Sequence, residues 1–221
     1  MKIKLPIAKY AINDIIIVIL ITVVMGYFLY QVQPVLALFP LIIFLFVLYF
    51  FRDPLRKIPD GNNLILSPAD GKIIEISEVI EDTFIKEPSI KIVIFLSLFD
   101  VHINRTPCAG RVVLLEYRKG QFLVASNPKA SKQNERNSIG LLVSNSFKML
   151  VRQIAGIIAQ RIVCDIKLNQ EVKKGMRIGM IKFGSRTEIY VSKNRIDKIN
   201  VKLNDRVKGG ESILGVIKNE I

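Results

Sequence analysis

Residues 15–51 form the run IIIVILITVVMGYFLYQVQPVLALFPLIIFLFVLYFF, which contains no charged side chain. One membrane crossing needs about 20 such residues, whereas an apolar run of about 10–14 is typical of a buried helix in a soluble protein. The 37 residues are therefore enough for two short spans. We predict a transmembrane helical hairpin that anchors the chain through residues 1–52.

Gln31, Gln33 and Pro34 interrupt the run near its middle and predict a turn between helices over Ile15–Tyr30 and Val35–Phe51. Both helices are slightly short for a full crossing, so a hairpin embedded in one leaflet stays open. A cleaved signal peptide has an apolar core of about 7–15 residues followed by a small-residue cleavage site. No such site follows the run.

Basic residues lie on both sides of the predicted hairpin, namely Lys2, Lys4 and Lys9 before it and Arg52, Arg56 and Lys57 after it. Because basic flanks favour the cytoplasmic side of a membrane, both ends of the hairpin are expected there. We therefore predict a second domain, residues 53–221, on the cytoplasmic face of the cell membrane.

The chain of 221 residues carries a formal net charge of +13, although half of its residues are apolar. After residue 51 there remain 29 basic and 18 acidic residues, a net charge of +11. A basic domain tethered to a membrane suits anionic lipid as its partner. Nucleic acid is not expected, because the sequence lacks a recognition-helix pattern, zinc-finger spacing and the signature of an RNA-binding sheet.

Cys108 and Cys164 are the two cysteines, and His102 is the single histidine. A structural zinc site needs four such ligands, so no metal site is expected. A disulfide is uncommon in the cytosol. Both cysteines are predicted to be small core residues.

The second domain is predicted to be mainly β, because short runs rich in Val and Ile alternate with Gly, Pro, Asn and Asp. A short turn or helix is expected over Ala130–Asn137. The predicted strands are Lys72–Ile76, Ile90–Leu98, Gly110–Tyr117, Leu141–Val143, Phe147–Ala155, Ile162–Asp165, Ile178–Phe183 and Thr187–Val191.

Two internal echoes support this interpretation. The pattern Val-x-x-Gly-x-x-Ile occurs over 172–178 and again over 207–213, and Asp70-Gly71-Lys72-Ile73 resembles Ala109-Gly110-Arg111-Val112. A glycine turn that leads a strand back into a sheet would produce both echoes. These hairpins resemble those of lipoyl and biotinyl carrier domains, and we predict a sandwich of short antiparallel strands.

Four segments place polar residues among apolar strands, and together they contain an acid, the imidazole and a hydroxyl directly after glycine. Such groups can form a nucleophile, a base and an orienting acid. Taken singly, Asp70 is typical of a turn, His102 of a bonded structural histidine and Ser185 of a loop, so spacing alone does not select catalysis. The segments are 67–71, 99–107, 125–136 and 182–187.

In this order the segments resemble phosphatidylserine decarboxylase in its short, membrane-anchored bacterial and archaeal form. The resemblance runs from about Pro54 to Ile217. Its motifs are Ser67-Pro68-Ala69-Asp70-Gly71, the block Asp100-Val101-His102-x-Asn104-Arg105-x-Pro107, Asn134-Glu135-Arg136-Asn137, Gln153-Ile154-Ala155-Gly156 and Phe183-Gly184-Ser185-Arg186.

The resemblance implies a precursor that cuts itself between Gly184 and Ser185. The Ser185 hydroxyl would attack the Gly184 carbonyl, and the resulting ester would eliminate. Ser185 would become a covalent pyruvoyl group, the implied cofactor. A large chain, 1–184, and a small chain, 185–221, would remain together as a heterodimer, and a higher oligomer stays open.

The resemblance also implies that His102 is the base and Asp70 its orienting acid. Arg105 stands where the long form of the family has a second histidine, so His102 would serve both self-cleavage and decarboxylation. The implied substrate is phosphatidylserine in an anionic membrane, decarboxylated through a Schiff base to phosphatidylethanolamine. By their charge, Lys129, Lys132 and Arg136 are candidate contacts for the phosphate or carboxylate of the head group, and a solvated basic loop is the alternative for these residues.

Two alternatives stay open at this point. The same chemistry could act on archaetidylserine or another serine lipid, because the sequence does not reveal the lipid tails. A membrane-anchored, lipoyl-like adaptor without catalysis would also fit the glycine-turn echoes.

Overall fold

The computed structural model describes residues 6–125, 127–144, 147–157, 161–182 and 184–218. Within these ranges the chain divides into two compact units, Met1–Leu55 and Arg56–Ile221. We describe each unit by itself.

The first unit contains two apolar helices, α1 (Ile12–Val32) and α2 (Leu38–Phe50), joined by a 3-10 turn over Pro34–Ala37. The two helices pack at Gly26, where an added Cβ would make an ordinary van der Waals contact of 3.8 Å with the Pro40 ring. By length and composition the segment Lys9–Val32 could cross a membrane, whereas the second apolar helix is shorter. That the helices form a transmembrane hairpin stays a prediction.

The second unit is mainly β, as predicted, and every ladder between its strands is antiparallel. It contains the short helix α3 (Ala130–Gln133). Its strands are β1 (Leu64–Leu66), β2 (Gly71–Glu81), β3 (Glu87–Leu96), β4 (Ile103–Arg105), β5 (Gly110–Arg118), β6 (Arg136–Leu142), β7 (Lys148–Ala155), β8 (Arg161–Cys164), β9 (Glu171–Val172), β10 (Arg177–Lys182), β11 (Ser185–Ser192), β12 (Ile196–Ile199), β13 (Arg206–Val207) and β14 (Ile213–Ile217).

The strands form one large sheet, ordered β13-β2-β3-β11-β7-β6-β5-β9, and two small sheets, ordered β1-β14-β12 and β4-β10-β8. One apolar core joins all three. Ile94 and Ile189 enter it from the large sheet, Leu214 from the first small sheet and Ile178 from the second. The core therefore lies between the large sheet and the two small ones.

The order of the large sheet is nearly symmetric about its centre, because the unit is built from two similar repeats. At one edge Val207 pairs with Gly71, and at the other Val172 pairs with Gly110. The β2–β3 and β5–β6 ladders each contain a register shift two residues after their glycine. The two sequence echoes thus occupy corresponding places in the two halves.

Backbone hydrogen bonds repeat in the same way. Leu66 N donates to Pro107 O at 3.0 Å, and Arg105 N donates to Pro68 O at 2.9 Å. Both turn glycines of the Val-x-x-Gly-x-x-Ile pattern have positive φ, 71° at Gly175 and 78° at Gly210. The interpretation of this pattern as a turn leading into a strand is therefore confirmed, whereas the likeness to lipoyl hairpins stays a prediction.

The two repeats differ in continuity. The continuous repeat comprises β4 to β10, whereas the split repeat comprises β1 to β3 together with β11 to β14. In the continuous repeat β6 and β7 are joined by a short connection. Their counterparts β3 and β11 are separated by the whole continuous repeat, and the chain returns to the split repeat between Lys182 and Ser185.

Two local predictions are wrong. The helix expected over Ala130–Asn137 ends at Gln133, because Arg136 begins β6 and pairs with β5 and β7. Cys164 is exposed on the edge strand β8 instead of buried. Cys108 is a core residue as predicted, and burial raises the pKa of its thiol to about 12.

The close approach of strands at Gly110 generates a test. A Cβ at this position would lie 2.5 Å from the carbonyl oxygen of Leu142, a backbone atom that cannot rotate away. Overpacking of this kind costs about 1–3 kcal/mol, so Gly110→Ala should lower the midpoint of thermal unfolding by about 2–12 °C. Circular dichroism of the purified full chain measures the midpoint.

Gly209→Ala is the matched control, since its added Cβ would lie no closer than 3.2 Å to a neighbour. It should shift the midpoint less than Gly110→Ala does. Equal shifts in the two variants would contradict the argument.

Candidate functional site

Ser185 begins β11, one of the two central strands of the large sheet. It pairs with Leu96 of β3 on one side and with Ala155 of β7 on the other. Its side chain is fully buried, and its Oγ has no hydrogen-bond partner among the described residues. A buried hydroxyl left unbonded costs free energy, so its position points to a purpose other than stability.

Gly184, directly before it, has a φ of +48° and lies in the left-handed region that favours glycine. A Cβ there would meet nothing within 4 Å, so backbone conformation and not space selects glycine. The Gly184 carbonyl oxygen lies against Gly156, where a Cβ would approach it to 2.1 Å. Phe183 of the same motif lies outside the described residues.

Side chains of β11 alternate between two environments. Ile189 and Val191 belong to the main core between the sheets, and Ser185 and Thr187 lie on this same face. Thr187 Oγ1 accepts a hydrogen bond of 3.0 Å from Asn104 Nδ2 of β4. The face that carries the Ser185 hydroxyl is therefore covered by β4.

His102 is fully buried just before β4, two residues from Asn104 and on the same face of the extended chain. Its backbone carbonyl accepts from Ile181 N at 3.3 Å. The ring Nδ1 lies 3.0 Å from the carbonyl oxygen of Asp100, and since a carbonyl only accepts, Nδ1 carries the proton. In the neutral ring the lone pair is then on Nε2, the atom that can act as a base.

Asp70 lies elsewhere in the hydrogen-bond pattern. Its Oδ2 accepts from Arg56 Nη2 at 2.7 Å, and its Oδ1 accepts from Arg56 Nη2 at 2.9 Å and from Gly209 N at 2.8 Å. Burial raises the pKa of the Asp70 carboxyl, although the Arg56 guanidinium opposes this. The Asp70 carboxylate is thus held by Arg56 and Gly209, and its predicted pairing with His102 stays a prediction.

A chain of buried amides continues from Asn104 across the large sheet. Gln153 Nε2 of β7 donates to Asn104 Oδ1 at 2.8 Å, and Asn137 Nδ2 of β6 donates to Gln153 Oε1 at 2.9 Å. All three side chains are buried. Because each amide has a bonded partner, the network fixes the orientation of Asn104 next to Thr187.

The other face of β11 carries an ion pair with almost no exposure. Arg186 Nη2 lies 2.7 Å from Glu188 Oε1, and their side chains are 1% and 0% exposed. Tyr190 OH donates to Glu188 Oε2 at 2.7 Å, and burial raises the pKa of this hydroxyl, so it remains a donor. Glu188 Oε1 also accepts from Ser131 Oγ at 2.5 Å.

Arg186 ties a loop to this face. Its Nη1 donates to the carbonyl oxygens of Ala125 and Asn127, each at 3.1 Å, and its Nη2 bonds Ser131 Oγ. Ala125 in turn lies beside Gly156, 3.1 Å from the position of an added Cβ. The buried ion pair therefore places this loop next to the Gly184 carbonyl.

The three predicted head-group residues lie on and after this loop. Lys129 and Lys132 are exposed, and Arg136 is half-buried with its Nη1 donating to Lys132 O at 2.6 Å.

Arg105 has a structural position. Its Nη1 donates to Gly175 O at 3.0 Å, and its Cδ would lie 2.8 Å from a Cβ at Gly210, so it packs between the two turn glycines.

Arg56, Ser131 and Glu188 belong to this region but are not among the predicted site residues. Arg56 belongs to the predicted membrane flank, and its pairing with Asp70 joins positions 14 residues apart. Glu188 carried a signal, since an acid within the apolar run of β11 must either be paired or neutralised when buried. Gly156 belonged to a quoted motif, but its contact with Gly184 appears only in the folded chain.

Comparison with known proteins matches residues 43–215 to the sequence profile of the phosphatidylserine decarboxylase family. A phosphatidylserine decarboxylase proenzyme of Carboxydothermus hydrogenoformans is 48% identical over 83% of this chain and 85% of its own. One of Syntrophus aciditrophicus is 46% identical over the same shares. One of Geotalea uraniireducens is 41% identical over 96% of this chain and 97% of its own.

The buried ion pair generates a test of what holds β11 and its loop. Glu188→Gln leaves the Arg186 guanidinium buried without its anion and should reduce the free energy of unfolding by about 3–5 kcal/mol. Glu78→Gln is the matched control, because the Glu78 and Lys193 side chains are 62% and 50% exposed and should contribute less than about 1 kcal/mol. Chemical denaturation of the full chain in detergent measures both.

A double variant, Arg186→Met with Glu188→Met, removes both charges and should recover part of the loss. A Glu188→Gln variant no less stable than Glu78→Gln would contradict this account.

Proposed function

The chain belongs to the phosphatidylserine decarboxylase family, and from this membership we propose that it converts phosphatidylserine to phosphatidylethanolamine with release of carbon dioxide. The observation that carries the proposal is the match over most of the chain to relatives named phosphatidylserine decarboxylase proenzyme. Because these relatives are named as precursors of an enzyme, they argue against the alternative that the chain is a membrane-anchored adaptor without catalysis. A serine lipid with other tails, such as archaetidylserine, would meet the same head-group chemistry.

The word proenzyme implies processing, and the Gly184–Ser185 bond is the proposed cleavage site. Three features support it. The Ser185 hydroxyl is buried without a described partner, Gly184 has the left-handed φ of +48°, and Gly156 leaves room for the Gly184 carbonyl. A glycine in the left-handed conformation, with its carbonyl packed closely against Gly156, suits an acyl shift to the neighbouring hydroxyl.

In the proposed step, Ser185 Oγ attacks the Gly184 carbonyl carbon and the peptide C–N bond breaks, so an ester replaces the amide. A base must take the hydroxyl proton, and His102 Nε2 is the candidate because Nδ1 is committed to the Asp100 carbonyl. Elimination of the ester then frees the Gly184 carboxylate. The new amino-terminal residue takes up water and loses ammonia to become the pyruvoyl group.

Asp70 is the proposed acid that supports His102. In the described contacts its carboxylate is bonded to Arg56 and Gly209, which fix its position, and a carboxylate so bonded can accept a further hydrogen bond. The raised pKa of the Asp70 carboxyl, caused chiefly by burial, is consistent with a group that can exchange a proton.

The surroundings of residue 185 suit a pyruvoyl group. The group would occupy the buried position of the serine side chain, and Thr187 and Asn104 lie on the same face. Such a group supplies a carbonyl that accepts the electron pair left when carbon dioxide departs from an amino acid. The chain contributes exclusion of water by burial and, through His102, a proton for the resulting carbon.

The two proposed chains, 1–184 and 185–221, would remain associated after cleavage. β11 pairs with β3 at eight positions and with β7 at seven, and β14 pairs with β1. These ladders do not pass through the Gly184–Ser185 bond. The small chain therefore keeps its contacts with the large one, as a heterodimer requires.

If the substrate is a lipid of the bilayer, the apolar helices can hold the enzyme at the membrane that contains it. The proposed anchor is the helical pair of the first unit, residues 1–52, with the catalytic domain, 53–221, on the cytoplasmic face as basic flanking residues favour. Lys129, Lys132 and Arg136 are the proposed contacts for the phosphate and carboxylate of the lipid head group.

Intact mass of the purified protein under denaturing conditions tests the proposal. We expect two species, split before residue 185. The small species should be lighter, by the mass of one ammonia molecule, than a chain that begins with serine. Ser185→Ala should give one intact, inactive chain, because it has no hydroxyl to attack. An active Ser185→Ala protein without a chain break would overturn the proposed cleavage site.

The contact between Gly156 and Gly184 gives a second test. Gly156→Ala places a methyl group 2.1 Å from the unmodified position of the Gly184 carbonyl oxygen and forces that carbonyl to move. A displacement of about 1 Å can cost about 100-fold in rate, so self-cleavage should slow by about that factor. The uncleaved fraction is followed by mass against time after synthesis.

Ala155→Gly is the neighbouring control, since it removes a methyl group without creating a collision, and it should mature at a rate close to that of the parent. Thermal unfolding of both variants checks that they fold. Maturation of Gly156→Ala at the parental rate would show that this contact does not govern cleavage.

A further inference from the structure

Three segments surround the Gly184–Ser185 bond on the surface of the second unit. The turn Ser97–Asp100 follows the β3 residue that pairs with Ser185, and Ile157 comes two residues after the β7 residue that does so. The segment 121–125 lies beside them, because Ala125 approaches Gly156 where the latter contacts Gly184.

Each of these segments exposes apolar side chains. Phe99 is 66% exposed, Ile157 58%, Val124 50% and Phe122 37%. Phe99 is at the tip of a turn closed by a 3.0 Å bond from Asp100 N to Ser97 O. Turn tips usually carry Gly, Asn, Asp, Ser or Pro, so an exposed aromatic ring there is not explained by turn formation.

Single exposed apolar residues are common on protein surfaces. Here they come from three separate segments that meet around one bond, and a grouping of this kind marks an interaction surface. We call the four residues Phe99, Phe122, Val124 and Ile157 the apolar rim.

Positive charge lies next to the apolar rim. Lys129 and Lys132 are exposed on the chain that continues from Val124, and Arg161 is exposed beyond Ile157 at the start of β8. Apolar tips bordered by Lys and Arg suit an anionic bilayer, in which the apolar groups enter the boundary between head groups and acyl chains while the cations remain at the phosphates.

We propose that the apolar rim docks the second unit onto an anionic phospholipid bilayer, with the region of Ser185 turned toward the lipid. The inference rests on the proposed function, since a site that acts on a phospholipid must face the layer from which its substrate comes. The helices of the first unit tether the chain, whereas the apolar rim orients the catalytic domain. Substrate can then enter without leaving the bilayer entirely.

The chain contains no tryptophan, so one introduced tryptophan reports on a single position. Phe99→Trp and Ile157→Trp place the reporter on the apolar rim of the full chain. Leu168→Trp is the control, because Leu168 is also an apolar residue in a turn, 55% exposed. The next residue, Asn169, donates its backbone N–H to the carbonyl oxygen of Val112. Val112 pairs with Leu141 of β6, and Leu141 pairs with Met149 of β7, so Leu168 lies at the level of Met149 in the sheet.

Met149 lies six residues along β7 from Ala155, the partner of Ser185, which corresponds to about 20 Å at the rise of a strand. The control therefore reports from the opposite end of the sheet. Each variant is reconstituted in vesicles of phosphatidylglycerol and phosphatidylcholine whose acyl chains are brominated, and its emission is compared with that in unbrominated vesicles.

We expect emission at positions 99 and 157 to fall at least about twofold in brominated vesicles, because a docked side chain lies about 5–10 Å into the interface. Emission at position 168 should change little. Equal quenching at all three positions, or none at 99 and 157, would overturn the proposal. Quenching at 99 that is unchanged in vesicles without phosphatidylglycerol would overturn the part assigned to the cations.

A second copy of the chain would give a different result. Emission at position 99 would then shift with protein concentration in detergent and stay unquenched by bromine, which would also overturn the proposal. The quenching needs no turnover, so it is independent of the intact-mass test. A quenched but uncleaved protein would support docking and contradict the proposed function, and a cleaved but unquenched protein would do the reverse.

Discussion

Every residue of β11 is buried, and its backbone is bonded to β3 on one side and to β7 on the other. This double ladder is the constraint on which the rest of the second unit depends. Because the strand contains Ser185, Arg186, Thr187, Glu188 and Ser192, burial of its backbone also buries five polar side chains. Arg186, Thr187 and Glu188 have hydrogen-bonding partners among the described residues, and those partners determine how β4 and the loop at Ala125 are placed.

The two faces of β11 contact different parts of the candidate site. On the core side, Thr187 meets Asn104, which belongs to the same short segment as His102. On the other side, Arg186 and Glu188 fix the loop that reaches Gly156 and, through it, the Gly184 carbonyl. A hydroxyl, an imidazole and a glycine in the left-handed conformation are thus supported by opposite faces of one strand, and a change on either face can reach the same bond.

The strands with many β-branched residues were predictable because their side chains favour a pleated, half-buried surface whatever their partners. The two-residue strands β9 and β13 were not, because they exist only by pairing with Gly110 and Gly71. The helix expected to reach Asn137 failed for a similar reason, since tertiary pairing of β6 overrides local preference. Asp70 could be singled out because it belongs to a motif. Its partner Arg56 could not, because the alternation of apolar and polar residues describes one strand at a time and does not predict contacts between distant segments.

The division into a continuous and a split repeat has a consequence for a break between Gly184 and Ser185. Such a break separates the split repeat into two fragments that complement each other, one carrying β1 to β3 and the other β11 to β14. The two fragments pair directly, through β3 with β11 and β1 with β14, and the uncut continuous repeat holds the small fragment through the ladder of β7 with β11. The small fragment would have no partner for its central strand in isolation, so its folding would have to precede the break, and exchange with a separately made copy would be prevented.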